Sequence, residues 1–209
     1  MFEPLPFNLT LTTQWLGRPL FFVREVDSTN RLLREMAREG AAAGTVVLTD
    51  HQIGGRGRRG RSWTTPPGSS LLSSTLLRPL VWTPRHALLP IVTAVAIART
   101  LETHLGLQPE IKWPNDILLS GRKCCGILIE SEWQHNKPTI IVGIGLNVKQ
   151  TEEDFIDLPT ATSLCLAQGK GMMIERGPLL AALLKQLERA YDEFELGWQP
   201  HNAWRKRAT

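Results

Sequence analysis

Residues Gly54 to Trp63 read Gly-Gly-Arg-Gly-Arg-Arg-Gly-Arg-Ser-Trp, and four glycines interleaved with four arginines suit neither a packed helix nor a core strand. The stretch has to be a loop. Glycine lets a backbone turn through positive φ and bring its N–H groups close to a ligand, while arginine presents a planar fork of donors matched to carboxylate or phosphate oxygens. The segment reads as a cradle for an anion. Ordering it costs about 1–2 kcal/mol per residue with almost no apolar side chain to offset that cost, so it is expected to be mobile when empty and to close over a ligand. It lies between the strand-like Thr45 to Thr49 and the apolar run Leu71 to Leu77, whereas Arg/Gly nucleic-acid tails sit in low-complexity ends.

A chain of 209 residues, 42% hydrophobic and 21% charged, has ample material for one globular core. The formal charge of +4 is mild and concentrates in the loop and in Arg205-Lys206-Arg207, which favours an anionic small ligand or an acidic protein over general nucleic-acid binding. Cys124, Cys125 and Cys165 make no CxxC pair, and His51, His86, His104, His135 and His201 show no ligand spacing. A reducing, cytoplasmic setting without structural zinc is expected. There is no secretory leader pattern and no uninterrupted apolar run of about 18 residues, so no membrane role is expected.

In chain order, residues 1 to 20, with Pro4, Pro6 and Pro19, read as an arm leading into a strand from Leu20 to Val26. Asp27-Ser28-Thr29-Asn30 then offers either helix caps or a polar ligand pocket ahead of an amphipathic helix stopped by Gly40. A strand from Gly44 to Asp50 and His51-Gln52 lead into the loop. A strand from Ser70 to Leu77 and one long helix from Thr83 to Gly106, capped by Thr83 and kinked at Pro90, follow. Next, Lys112-Trp113-Pro114-Asn115-Asp116 places a lysine, an amide and a carboxylate on a turn between two apolar strands. Strands from Cys124 to Glu130 and Thr139 to Val148 come next, and Gly143 and Gly145 inside the latter mark a close approach of a ligand or another backbone. An acidic linker, Thr151 to Pro159, precedes a short helix near Ala161 to Gln168 and a long one from Pro178 to Leu196 with a leucine stripe. The basic end, Trp198 to Thr209, reads as unfinished.

These motifs, with Arg122-Lys123-Cys124-Cys125-Gly126-Ile127-Leu128 and Gly143-Ile144-Gly145-Leu146-Asn147-Val148, stand in the order and spacing of biotin protein ligases, which residues 20 to 205 resemble. The resemblance implies an α+β domain, a mixed central sheet with helices mainly on one face, like the class II synthetases. It implies activation of biotin by ATP and Mg2+ to biotinyl-5′-AMP, then transfer of biotin to a lysine of a carboxylase's biotin carboxyl carrier domain. By motif, Ser28, Thr29, Asn30, Gln52, Arg56, Gly57, Arg58, Lys123 and Gly126 would bind biotin. Arg58, Arg59, Arg61, Trp63, Lys112, Asn115 and Asn147 would bind ATP or the adenylate. Lys123, Arg58 and Asp116 would be catalytic, with Asp116 holding magnesium or meeting the acceptor amine. Longer relatives carry an N-terminal DNA-binding winged helix and most carry a small C-terminal β-barrel; this chain is read as lacking both, so no nucleic-acid partner is expected. A homodimer through a sheet edge stays open.

The nearest enzymatic alternative is a lipoate or octanoyl transferase, disfavoured because its Arg-Arg and Gly-Gly-Gly pattern is missing. A nucleic-acid-binding module would leave Lys112 to Asp116 and Lys123 unexplained. A protein that binds biotin without completing transfer is the third alternative.

Overall fold

A computed structural model describes residues 2–134, 137–169 and 173–209. Its elements are β1 (Leu20–Val26), α1 (Thr29–Arg38), β2 (Val46–Gln52), β3 (Ser70–Leu77), α2 (Leu89–Leu105), β4 (Pro109–Lys112), β5 (Asp116–Leu119), β6 (Arg122–Gln134), β7 (Lys137–Asn147), α3 (Leu164–Gln168), α4 (Arg176–Glu195) and α5 (His201–Arg205). The strands form one mixed sheet in the order β1-β2-β3-β7-β6-β5-β4, parallel at β1/β2 and antiparallel elsewhere. This is the expected α+β architecture.

Strand alternation assigns the two faces. In β7, Ile140, Val142, Ile144 and Leu146 join the main core with α2 and α4, while Ile141 joins a smaller core under α1. Gly143 and Gly145 share the side of Ile141 and leave that face open beside α1. Every residue of β3 is buried, so its run Ser-Leu-Leu-Ser-Ser-Thr-Leu-Leu shows no polar alternation. On α4, Leu180, Leu183, Leu184 and Leu187 are all buried against the sheet and α2. Each such leucine contributes roughly 1.5–3 kcal/mol through burial. The stripe is packing, as its spacing indicates.

The arm ahead of β1 is fixed by a carboxylate. Glu188 of α4, 3% exposed, accepts from the backbone N–H groups of Gln14, Trp15 and Leu16 at 2.9–3.0 Å. Three donors on one carboxylate keep a buried charge solvated by backbone and dock Leu16 into the core.

One expectation changes. The single helix from Thr83 to Gly106 is a 3-10 turn, Pro84–Leu88, followed by α2. Thr83 caps the turn through a box with His86 and Gly106 ends α2 at φ 68°, as expected, but Pro90 lacks the N–H an uninterrupted helix would use. The pair Pro84–Leu105 is long and apolar enough by length and composition to cross a membrane, yet 61% of its most apolar window is buried inside the fold. At the basic end, α5 and the residues after it dock against α2 and β4.

Candidate active site

The open sheet face has a floor without side chains. Gly126 of β6 and Gly145 of β7 are register partners, and the Trp63 indole lies on both. A Cβ on Gly145 would stand 2.6 Å from Trp63 Cε2, and one on Gly126 2.8 Å from Trp63 Cζ3. Only glycine permits this approach. Gly143 makes room in the same way for the Asn30 amide.

The glycine–arginine loop is folded back on itself above this floor. Gly57 N–H donates to Arg61 O at 2.7 Å, Trp63 N–H donates to Gly55 O at 2.9 Å, and Arg56 and Ser62 form an antiparallel bridge. The tip, Arg58–Gly60, is a 3-10 turn with Arg59 at φ 56°. With the sheet, the loop encloses a cavity of about 560 Å³.

One end of the cavity is neutral and rich in acceptors. Ser28 occupies the N-cap of α1 without a side-chain capping bond, so the pocket alternative holds for this segment. Gln52 Oε1 accepts from Thr29 N–H at 2.8 Å and lies 3.0 Å from Thr29 Oγ1. Ser74 Oγ lies 2.7 Å from Thr29 Oγ1 and 2.6 Å from Asn30 Oδ1, while Asn30 Nδ2 donates to Glu130 Oε2 at 2.8 Å. Two hydroxyl protons serve these three oxygen–oxygen contacts, so one contact is made without a proton between its oxygens.

The other end is cationic. Arg56, Arg58, Arg59, Arg61, Lys112 and Lys123 line it, and Asp116 is the one carboxylate among the lining residues. Lys123 Nζ pairs with Asp116 Oδ1 at 2.6 Å and stands over the Trp63 ring, 5.4 Å from its centroid. The Lys123 backbone is clamped by bonds to Thr160 O and from Thr162 N–H, at 2.7 and 2.8 Å. An ion pair this exposed adds little to folding; its consequence is to fix the amine at the cavity wall. Asn115 Nδ2 donates to Ile127 O at 2.8 Å, and its Oδ1 meets Arg58 Nη1 at 3.5 Å, bringing the loop and the β4–β5 turn together.

All but one of the expected site residues line this cavity; the exception is Asn147. Its amide donates to Thr162 O at 3.0 Å and accepts from Gln150 Nε2 at 3.1 Å, so its polar atoms are spent on chain that follows β7. Asp116, the residue expected to hold magnesium or meet the acceptor amine, lines the cavity at the start of β5. The carboxylate already holds Lys123, and among the described residues no group of three His, Cys, Asp or Glu could ligate a metal. His135 lies outside the described residues. Magnesium commonly binds one or two carboxylates together with substrate phosphates, so here it would belong to the nucleotide rather than to a protein cage. Two residues outside the lining support it without any mark in the sequence: Ser74, which reads as a small buried strand residue and bonds Thr29 and Asn30, and Glu130, which orients Asn30 while paired with Arg34 at 2.5 Å.

A glycine-floored sheet with an acceptor-rich end and a cationic end that includes Lys123 defines a cavity suited to an elongated ligand with an anionic portion. Residues 22–147 match the model of the Biotin/lipoate A/B protein ligase family, and the chain belongs to that family. Within it, sequence and fold are those of a biotin protein ligase catalytic domain. It is 35% identical over 189 residues to the biotin-[acetyl-CoA-carboxylase] ligase of Paracoccus denitrificans, covering 88% of this chain and 78% of the relative. It is 35% identical over 185 residues to the bifunctional ligase/repressor BirA of Bacillus subtilis, covering 88% of this chain but only 57% of that protein. The chain thus spans little more than half the length of such relatives. Among solved structures, biotin protein ligase from Aquifex aeolicus in complex with biotin and ATP superposes with a TM-score of 0.71 at 31% identity, covering 85% of this chain and 72% of the other.

Proposed function

We propose that this domain joins biotin to AMP and passes the biotinyl group to a lysine of a biotin carboxyl carrier domain. In the first step a biotin carboxylate oxygen attacks the α-phosphorus of ATP, and pyrophosphate leaves. In the second the acceptor amine attacks the acyl carbon, loses a proton, and AMP leaves. The observation that carries this reading is one cavity whose wall combines Lys123 and four arginines with the neutral polar side chains of Ser28, Thr29, Asn30 and Gln52. A ureido ring would meet those neutral polar groups, and a polyphosphate would meet the arginines.

The cations address the central difficulty of adenylation, which is bringing a carboxylate against a polyanion. Two unit charges about 4 Å apart interact by roughly 4 kcal/mol at an effective dielectric near 20. A preset ammonium at Lys123 therefore removes a useful share of the barrier, and being fixed beforehand it costs no reorganisation during the reaction. Magnesium bound to the triphosphate would supply further charge neutralisation. Arg58, tied to Asn115, closes the loop over the mixed anhydride and keeps water and stray amines away from it. The acceptor-amine role for Asp116 follows from its being the one carboxylate among the residues lining a cationic cavity, the group that would draw in an ammonium and take up its proton.

The test is incubation with ATP, magnesium, biotin and a carrier domain, followed by intact-mass measurement. The expected result is a single biotinyl adduct on the carrier, absent when its acceptor lysine is arginine and absent when lipoate replaces biotin. An adduct formed equally well from lipoate would move the assignment to the lipoate branch of the family.

A further inference from the structure

We infer that Trp204 and Arg207 are positioning residues for the nucleotide end of the cavity. Lys112, Asn115 and Asp116 all sit on or beside the turn after β4, and β4 is a four-residue strand at the edge of the sheet. Edge strands this short are the least constrained part of a sheet. Here the chain after α5 supplies the constraint. Ile111 N–H donates to Arg207 O at 2.7 Å and Thr209 N–H donates to Ile111 O at 3.3 Å, a parallel bridge between Ile111 and Ala208. The Arg207 guanidinium grips both carboxylate oxygens of Glu102 on α2, at 2.6 and 2.7 Å, and donates to Ala203 O at 2.7 Å. The brace is therefore anchored in the core helix.

At the turn itself, the Trp204 ring meets the Trp113 ring edge-on, with centroids 6.2 Å apart and planes at 74°. Trp113 lines the cavity and is 57% exposed, so Trp204 is a substantial part of what holds it. The Trp204 Nε1 is buried without a hydrogen-bond partner among the described residues. Trp204 thus serves through its ring, and a phenylalanine can replace it without loss of a polar contact. The acceptor-rich end is built on α1, β2 and β3, on the other side of the sheet's centre from β4. Loosening the brace should accordingly disturb nucleotide and spare biotin.

This inference rests on the adenylation reading, and its test separates the two. Biotin-dependent pyrophosphate release is measured for the wild-type chain, Trp204→Ala, Trp204→Phe, Arg207→Ala, Trp113→Ala and the double variant Trp113→Ala/Trp204→Ala, alongside thermal unfolding. Misplacing a positioning group by about 1 Å can cost on the order of 10²-fold, so Trp204→Ala and Arg207→Ala are expected to raise KM for ATP at least about 10-fold with KM for biotin unchanged. Trp204→Phe should restore KM for ATP, and the two tryptophan deletions should be non-additive because they act through one contact. If Trp204→Ala fails to fold, the comparison of Trp204→Phe with Trp113→Ala carries the test. Equal scaling of kcat with both KM values unchanged, or additive deletions, would overturn the positioning role while leaving adenylation standing. A folded wild-type chain without any biotin-dependent release would overturn both.

Discussion

Replacing Gly145 by alanine tests the floor of the cavity without touching any group that bears charge. The new Cβ would stand 2.6 Å from Trp63 Cε2, 2.7 Å from Nε1 and 3.0 Å from Cζ2, against a carbon contact distance of about 3.5–4.0 Å. The indole must rise by roughly 1 Å. Trp63 is carried by a surface loop, so the fold yields easily, and alanine regains up to about 1 kcal/mol of backbone entropy lost by glycine in a strand. The melting temperature should therefore change little. What changes is the cavity. Lifting the ring breaks its contact with Lys123, worth about 0.5–2 kcal/mol, and displaces the wall on which the reacting groups are aligned. Together these should lower kcat/KM for biotin-dependent pyrophosphate release by about 10- to 100-fold, which is roughly 1.4–2.7 kcal/mol of transition-state stabilisation. A Gly145→Ala protein with unchanged melting and unchanged kcat/KM would refute the claim that the glycine pair exists to seat Trp63.

Arg58→Gly removes the tie to Asn115 and should shorten retention of biotinyl-AMP; biotin appearing on an unrelated lysine-rich protein added in trans checks this. At Glu188, burial pushes the carboxyl up, but the N–H groups of Trp15, Leu16 and Gln14 with Lys185 outweigh it and leave the group below its ordinary 4.5. A lowered value means that its stabilisation is full above the unfolded pKa and is lost as pH falls through the lower folded one. Glu188→Gln should thus cost about 1–3 kcal/mol near neutrality and lose that deficit below about pH 4.5, read from urea unfolding against pH. Burial pushes the Cys124 thiol up to about 12 and Cys125 well above its ordinary range. Iodoacetamide at pH 8 should therefore label no more than Cys165 in the native protein, and all three thiols after unfolding, as counted by mass.

The parts of this molecule that local chemistry dictates are legible in the sequence alone. The loop at Gly54 to Trp63 and the turn at Lys112 to Asp116 are written in glycine and proline, whose backbone preferences hold whatever surrounds them. The glycines of β7 announce a close approach, and Trp63 and Asn30 are what approach. Long-range pairing is not legible. Asn147 shares a face with Gly143 and Gly145, so its alternation is right, but residues 150 and 162 return to take its amide. Ser74 sits in a strand of small and apolar residues where nothing local marks it as the link between Thr29 and Asn30. The brace from α5 leaves no local signal for the same reason, since Arg207 and Glu102 are 105 residues apart.

If the cavity's two unlike ends are the two substrate sites of one adenylation, ATP and biotin must react across it. The decisive measurement is pyrophosphate release from ATP and magnesium, followed with and without biotin on the purified chain and on Lys123→Ala. Release should depend on biotin and fall by on the order of 10²–10³ when Lys123 is removed. Release that ignores biotin, or survives Lys123→Ala intact, would rule out that pairing of sites.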